Sequence, residues 1–165
     1  MTEIRLEHVS YAYDDEKILE DINLQVTSGE VVSILGPSGV GKTTLFNLIA
    51  GILEVQSGRI ILDGEENPKG RVSYMLQKDL LLEHKTVLGN IILPLLIQKV
   101  DKAEAIARAD EILATFQLTA VRDKYPHELS GGMRQRVALL RTYLFRHKLF
   151  LLDEAFSALD EMTKM

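Results

Sequence analysis

Apolar and polar positions alternate in the first third of the chain and recur at helical spacing from residue 84 onward. Ile4 and Leu6, then Ile22, Leu24 and Val26, predict strands over residues 4–9 and 22–26. Asp14-Asp15 and Ser28-Gly29 are turn signals between and after them, so a small antiparallel sheet is expected first. Glu30-Val31-Val32-Ser33-Ile34-Leu35 is a continuous β-branched apolar run and predicts a buried strand. Lys42 to about Leu53 places Leu45, Phe46, Leu48, Ile49 and Ala50 on several faces, which predicts a buried helix. Ser57-Gly58 and Asp63-Gly64 bracket a short hairpin strand, Arg59–Leu62, and Val72–Leu76 predicts another strand with Gln77 at its end.

Residues 84–146 read as helical. Thr86 can cap a helix through Leu88, Ile91 and Ile92, bent near Pro94 because proline removes a backbone bond. Asp101-Lys102-Ala103-Glu104 resembles a capping box, continued by a stripe of Ile106, Ala109, Ile112, Leu113 and Phe116. Pro126 is expected to end a short third piece. Ser130 should cap a helix from Gly132 to about His147, followed by a strand at Leu149–Leu152. No internal repeat interrupts this order. A single α/β domain is expected.

The chemistry begins where the apolar run of residues 30–35 ends. Gly36-Pro37-Ser38-Gly39-Val40-Gly41-Lys42-Thr43-Thr44 reads G-x-x-x-x-G-K-[ST] between a predicted strand and a predicted helix. Glycines let the backbone close on an anion, and successive N–H groups form a nest at the positive end of the helix dipole. Lys42 supplies an ammonium for terminal phosphates, and the Thr43 hydroxyl suits one site of an octahedral Mg²⁺. A net charge of −5 argues against nucleic acid or an acidic membrane surface as the main partner, but not against an anion held by local amides. With 165 residues, no Cys, no apolar run of membrane-spanning length and no signal-peptide pattern, a soluble cytosolic protein is expected.

Two further stretches carry chemistry. Leu129-Ser130-Gly131-Gly132-Met133-Arg134-Gln135-Arg136 opens the last helix with a capping Ser and two glycines, either an ordinary cap or a second anion site. Leu149–Leu152 runs into Asp153-Glu154. Asp153 can hold Mg²⁺ directly or through water, and Glu154 can polarise a water for in-line attack. Tyr13 is either strand packing or a stacking face for a purine. Gln77 is either a solvated loop residue or a reach to a metal or water.

Taken in this order, the stretches resemble the nucleotide-binding ATPase of ABC transporters, and the match runs along the whole chain. Gly36–Thr43 is similar to the Walker A motif, and Gln77 falls at the Q-loop position. Leu129–Arg136 resembles the LSGGQ-type signature, with Met133 at the variable position and Gln135 close behind. Leu149–Glu154 resembles Walker B, Ser157–Asp160 the D-loop, and Tyr13 the aromatic that stacks on adenine. The resemblance implies a P-loop NTPase (RecA-like) α/β fold with a parallel core. An antiparallel β subdomain would lie with that core in 1–83 and 148–165, and an inserted helical subdomain in 84–147. It implies ATP and Mg²⁺ as ligands, the latter on Thr43, Gln77 and Asp153, and Glu154 with Gln77 in hydrolysis. Nucleotide would be bound by Tyr13, Gly36, Ser38, Gly39, Gly41, Lys42, Thr43 and Thr44.

It also implies a head-to-tail dimer in which Ser130, Gly131, Gly132 and Gln135 act on the partner's nucleotide, with Asp160 in the D-loop, and permease subunits at the inner face of the membrane. Pro126-His127-Glu128 looks like the importer pattern, nearest to nitrate, sulfonate and thiamine-precursor importers. The family's switch His would follow Asp160, yet the sequence ends at Met165, and His8, His84, His127 and His147 all precede Walker B. The chain is therefore expected to be C-terminally truncated, incompetent in hydrolysis, and short of a central strand, with a strand-swapped dimer as one way to fill the gap. Three other readings are a DNA-repair or translation ATPase of the same superfamily, a P-loop kinase or GTPase, and a fragment that only binds nucleotide or a partner. Coiled-coil insertions, a second cassette and an N-K-x-D motif are all lacking.

Overall fold

The computed structural model describes residues 3–153, which fall into two compact units. The first comprises residues up to Val72 together with Lys148–Asp153, and the second Ser73–His147.

The first unit is built on a long hairpin, β1 (Glu3–Tyr13) and β2 (Glu16–Thr27), turning at Asp14-Asp15 as its composition predicts. The pairing runs from Glu3↔Thr27 to Tyr13↔Glu16, with bulges around His8 and Asp21. Both bulge residues have positive φ, 53° and 49°. Side chains satisfy the backbone that the bulge frees: Asn23 Oδ1 accepts from the His8 N–H at 2.9 Å, and Ser10 Oγ accepts from the Asp21 N–H at 2.9 Å. The strands are longer than the alternation alone suggests because these side chains carry the ladder across the irregularity. β3 (Ser57–Leu62) and β4 (Glu65–Glu66) complete an antiparallel sheet in the order β2-β1-β3-β4. Its core side holds Ile4, Leu6, Val9, Leu19, Ile60 and Leu62, all buried.

The helix α1 (Lys42–Ile49) buries Thr44, Leu45, Leu48 and Ile49. It stops four residues short of the expected Leu53, because the Ile52 and Leu53 N–H groups both turn back to the Asn47 carbonyl. The larger correction is Glu30–Leu35. These residues form no strand: they join no ladder among the described residues, and they expose Val31 to 95% and Leu35 to 91%. β propensity expresses itself only when a neighbouring strand supplies the hydrogen bonds and the packing. β6 (Leu149–Leu152) leads to Asp153.

The second unit opens within β5 (Val72–Met75), whose first residue belongs to the first unit, and is otherwise helical. Thr86 caps α2 (Val87–Ile91), its hydroxyl accepting from the Gly89 N–H at 3.2 Å. Pro94 sits in the first turn of a separate helix, α3 (Leu93–Ile97), where its missing N–H costs no bond. Asp101 caps α4 (Lys102–Thr115) by accepting from Ala103 N–H at 2.8 Å and Glu104 N–H at 3.3 Å. Pro126 begins a short 3₁₀ turn, Pro126–Glu128, instead of ending a helix, again because proline suits a first turn. Glu128 closes that turn by accepting from the Tyr125 N–H at 2.7 Å. The last helix, α5 (Gly131–Tyr143), ends before the expected His147.

Candidate phosphate-binding site

The loop before α1 takes the shape its glycines permit. Gly39 and Gly41 have φ of +83° and +102°, and Gly41 is the N-cap of α1 without any side chain bonded to the helix start. A Cβ on Gly41 would lie 2.8 Å from Ile18 Cγ2 and 3.1 Å from Leu19 Cδ2, so the loop is seated on β2 where only glycine fits. The first bond of the helix runs from Leu45 N–H to the Gly41 carbonyl at 2.9 Å, which leaves the N–H groups before it without an intrahelical acceptor. Such donors at a dipole end attract an anion.

Lys42 folds back over this loop. Its Nζ donates to the Gly36 carbonyl at 2.7 Å and the Pro37 carbonyl at 2.8 Å, which uses two of the ammonium's three donors. Thr43 Oγ1 donates to Asp153 Oδ2 at 2.7 Å, across 110 residues of sequence. Asp153 is only 3% exposed. The first unit therefore brings together a hydroxyl, a carboxylate and an ammonium at the mouth of an amide nest. Ser38 lies in the same exposed loop, and Thr44 is buried in the first turn of α1. Thr43 and Asp153 are hard oxygen donors of the type Mg²⁺ takes beside nucleotide phosphates. Tyr13 stands at the end of β1, 46% exposed, with Tyr11 edge-on to its ring at 5.0 Å.

In the second unit, Ser130 Oγ accepts from the Met133 N–H at 3.3 Å and so caps α5. Gly131 and Gly132 have open space where a Cβ would be. Gln77, Gly131, Arg134 and Gln135 line one cleft. The Gln135 Oε1 is buried and has no hydrogen-bond partner among the described residues. Glu154 and Asp160 lie outside the described residues.

The segment that follows Gln77 matches none of the motifs in the sequence yet is held by several side chains. Asp79 accepts from Arg134 Nε at 2.9 Å and Nη2 at 3.1 Å, and Glu83 accepts from the same Nη2 at 2.6 Å. Arg141 donates to the Asp79 carbonyl at 2.7 Å and the Leu80 carbonyl at 2.9 Å. Burial pushes the Asp79 carboxyl up, but the bonds from Arg134 and Leu81 N–H and the charges of Arg134 and Arg141 outweigh it and leave it below the usual range. The bonds from Asp79 and Glu83 raise Arg134, while burial lowers Arg141 with partial compensation from Asp79. Asn90, fully buried, accepts from the Leu82 N–H at 2.7 Å and donates to the carbonyls of Leu82, Lys85 and Thr86. A polar residue inside the apolar stretch Val87–Ile91 is the one signal that could have flagged it.

A profile of the ABC transporter family matches residues 19–157. The uncharacterized ABC transporter ATP-binding protein YtlC of Bacillus subtilis is 43% identical over 171 residues, covering 100% of this chain and 66% of the relative. The spermidine/putrescine import ATP-binding protein PotA of Aggregatibacter actinomycetemcomitans is 42% identical, over 95% of this chain and 44% of its own. The sulfate/thiosulfate import ATP-binding protein CysA of Thermosynechococcus vestitus is 41% identical, over 95% of this chain and 48% of its own. The chain thus spans between about half and two-thirds of the length of these relatives. The profile covers the glycine loop, the capped signature helix and the Asp153 strand together, and with it goes the P-loop NTPase fold: the chain belongs to the ABC transporter family.

Proposed function

We propose that this chain is the ATP-binding and ATP-hydrolysing part of a subunit that powers solute import. The observation that carries this reading is the 2.7 Å contact between Thr43 and the buried Asp153 beside Lys42 and the open helix start. ATP would lay its phosphates in the Gly36–Thr44 loop and its base against Tyr13. Lys42 would exchange two neutral carbonyls for phosphate oxygens, whose negative charge adds a Coulomb attraction to the ammonium. Thr43 and Asp153, with Gln77, would hold Mg²⁺, which when bound neutralises phosphate charge. Glu154 would act as general base, an effect of typically ~10²–10⁴-fold.

The partners follow from the same reading. Ser130, Gly131, Gly132 and Gln135, with Asp160, would face the nucleotide of a second copy in a head-to-tail dimer. Residues 84–147, as the helical subdomain, would meet permease subunits at the inner membrane face. Among the described residues no helix is long and apolar enough to cross a membrane, which agrees with a peripheral place. The relatives are named for polyamine and for sulfate import at 42% and 41% identity, solutes of opposite charge. Solute choice is therefore not written in this chain. The exposure of Val31 and Leu35 supports a further possibility for the isolated chain, a dimer in which residues 30–35 borrow a strand from a second copy.

Lys42→Ala tests the reading. ATP affinity, titrated with a fluorescent analogue in Mg²⁺, is expected to fall at least ~10-fold, the loss of a hydrogen bond to a charged group, while thermal unfolding stays near wild type. Equal affinities would remove Lys42 from the site and the reading with it.

A further inference from the structure

The contacts that follow Gln77 are more than a loop resting on a helix. Arg134 and Arg141 are seven residues apart on α5 and therefore share one face. Arg134 takes the Asp79 carboxylate with two nitrogens, and Arg141 takes the Asp79 and Leu80 carbonyls. Between these grips, Leu80 is held at φ 45°, a left-handed conformation that a leucine adopts only when its surroundings over-determine it. Its side chain is 53% exposed, so no burial of Leu80 itself explains the strain. Downstream, the Leu81 N–H is turned onto Asp79 Oδ1 at 3.0 Å, and Asn90 takes both the N–H and the carbonyl of Leu82. The side chains of Arg141, Asp79 and Asn90 thus bond the backbone of four consecutive residues, 79–82.

We propose that Arg134, Arg141 and Asp79 form a clasp that positions Gln77 by binding the segment behind it to the helix that begins at Ser130, so that Gln77 and the signature glycines share one rigid frame. The inference deepens the nucleotide-site reading above and rests on it for the role of Gln77. Arg134 and Arg141 are positioning residues: Arg134 acts through the Asp79 carboxylate and Arg141 through the Asp79 and Leu80 carbonyls. Arg suits the task because its planar fork bridges two acceptors at once, which a lysine ammonium does with less geometric control. Glu83, also on Arg134 at 2.6 Å, and Lys78 line the same cleft.

Amide hydrogen exchange on the whole chain, with nucleotide titrated in parallel, tests the clasp. In Arg141→Ala the amides of residues 80–83 are expected to lose protection by 10-fold or more. Those of α1 and α4 should keep theirs, and ATP affinity should stay within twofold. Arg141→Lys should restore part of the protection, which a simple loss of packing would not do. Asp79→Asn keeps the shape while removing the charge, and it gives the same answer should Arg141→Ala not fold. Unchanged protection at 80–83, or an equal loss across every helix, would overturn the clasp. A wild-type chain that fails to bind ATP would overturn the nucleotide reading and leave the exchange result standing.

Discussion

The molecule starts two helices on glycine-rich turns and treats them in opposite ways. At α1 the N-cap is Gly41, left-handed at φ +102°, wedged against Ile18, and among the described residues no side chain caps the helix start. At α5 the N-cap is Ser130, extended at φ −66°, its hydroxyl accepting from the Met133 N–H, and the glycines that follow have open space where a Cβ would be. Both turns read as anion sites by composition. Only the first leaves its donors to a ligand and uses neighbouring strands to hold their geometry. The second satisfies one donor itself and keeps two glycines in open space. That is the arrangement of a surface made to be approached by something bulky, in keeping with its proposed action on a nucleotide held by another copy.

Three substitutions probe that contrast. Gly41→Ala should have the largest effect, because the new Cβ has neither the backbone conformation nor the room: strain of ~1–3 kcal/mol is expected in chemical denaturation. ATP binding should be lost in the same titration used for Lys42. Stability and affinity close to wild type would mean that the loop can reseat itself away from β2, and the contrast would fail. Ser130→Ala should come next, removing a cap worth ~0.5–2 kcal/mol while leaving ATP affinity of the single chain unchanged. A drop in that affinity would place Ser130 on the chain's own nucleotide. Gly131→Ala should change stability least, and toward stabilisation, since alanine is the better helix former by up to ~1 kcal/mol. Its cost should appear only as weaker ATP-dependent dimerisation, read by light scattering.

The features legible in the sequence were those whose cause is local. Thr86, Asp101 and Ser130 cap their helices because a cap needs only the next three residues, and the Asp14-Asp15 hairpin needs only its own turn. The glycine loop was legible for the same reason. Glu30–Leu35 was not, because a strand needs a partner, and the run lies unladdered among the described residues. The clasp on Asp79 was equally hidden. Arg141 and Leu80 lie 61 residues apart, and nothing in either neighbourhood marks a guanidinium as destined for a backbone carbonyl. The contact between Thr43 and Asp153 spans a still longer gap, 110 residues: the sequence marks each as a candidate Mg²⁺ ligand, but not the direct bond between them.

The bare run from Val31 to Leu35 has one more consequence, for the handling of the polypeptide itself. A protease cleft binds its substrate as an extended strand and needs several residues of unpaired main chain with a side chain free to enter a pocket. Val31 and Leu35, at 95% and 91% exposure, offer that in the chain as described. A cut there would part the hairpin from the phosphate loop. The lifetime of the isolated polypeptide in a cell extract is then governed by whether something occupies that stretch, more than by how well its two cores are packed.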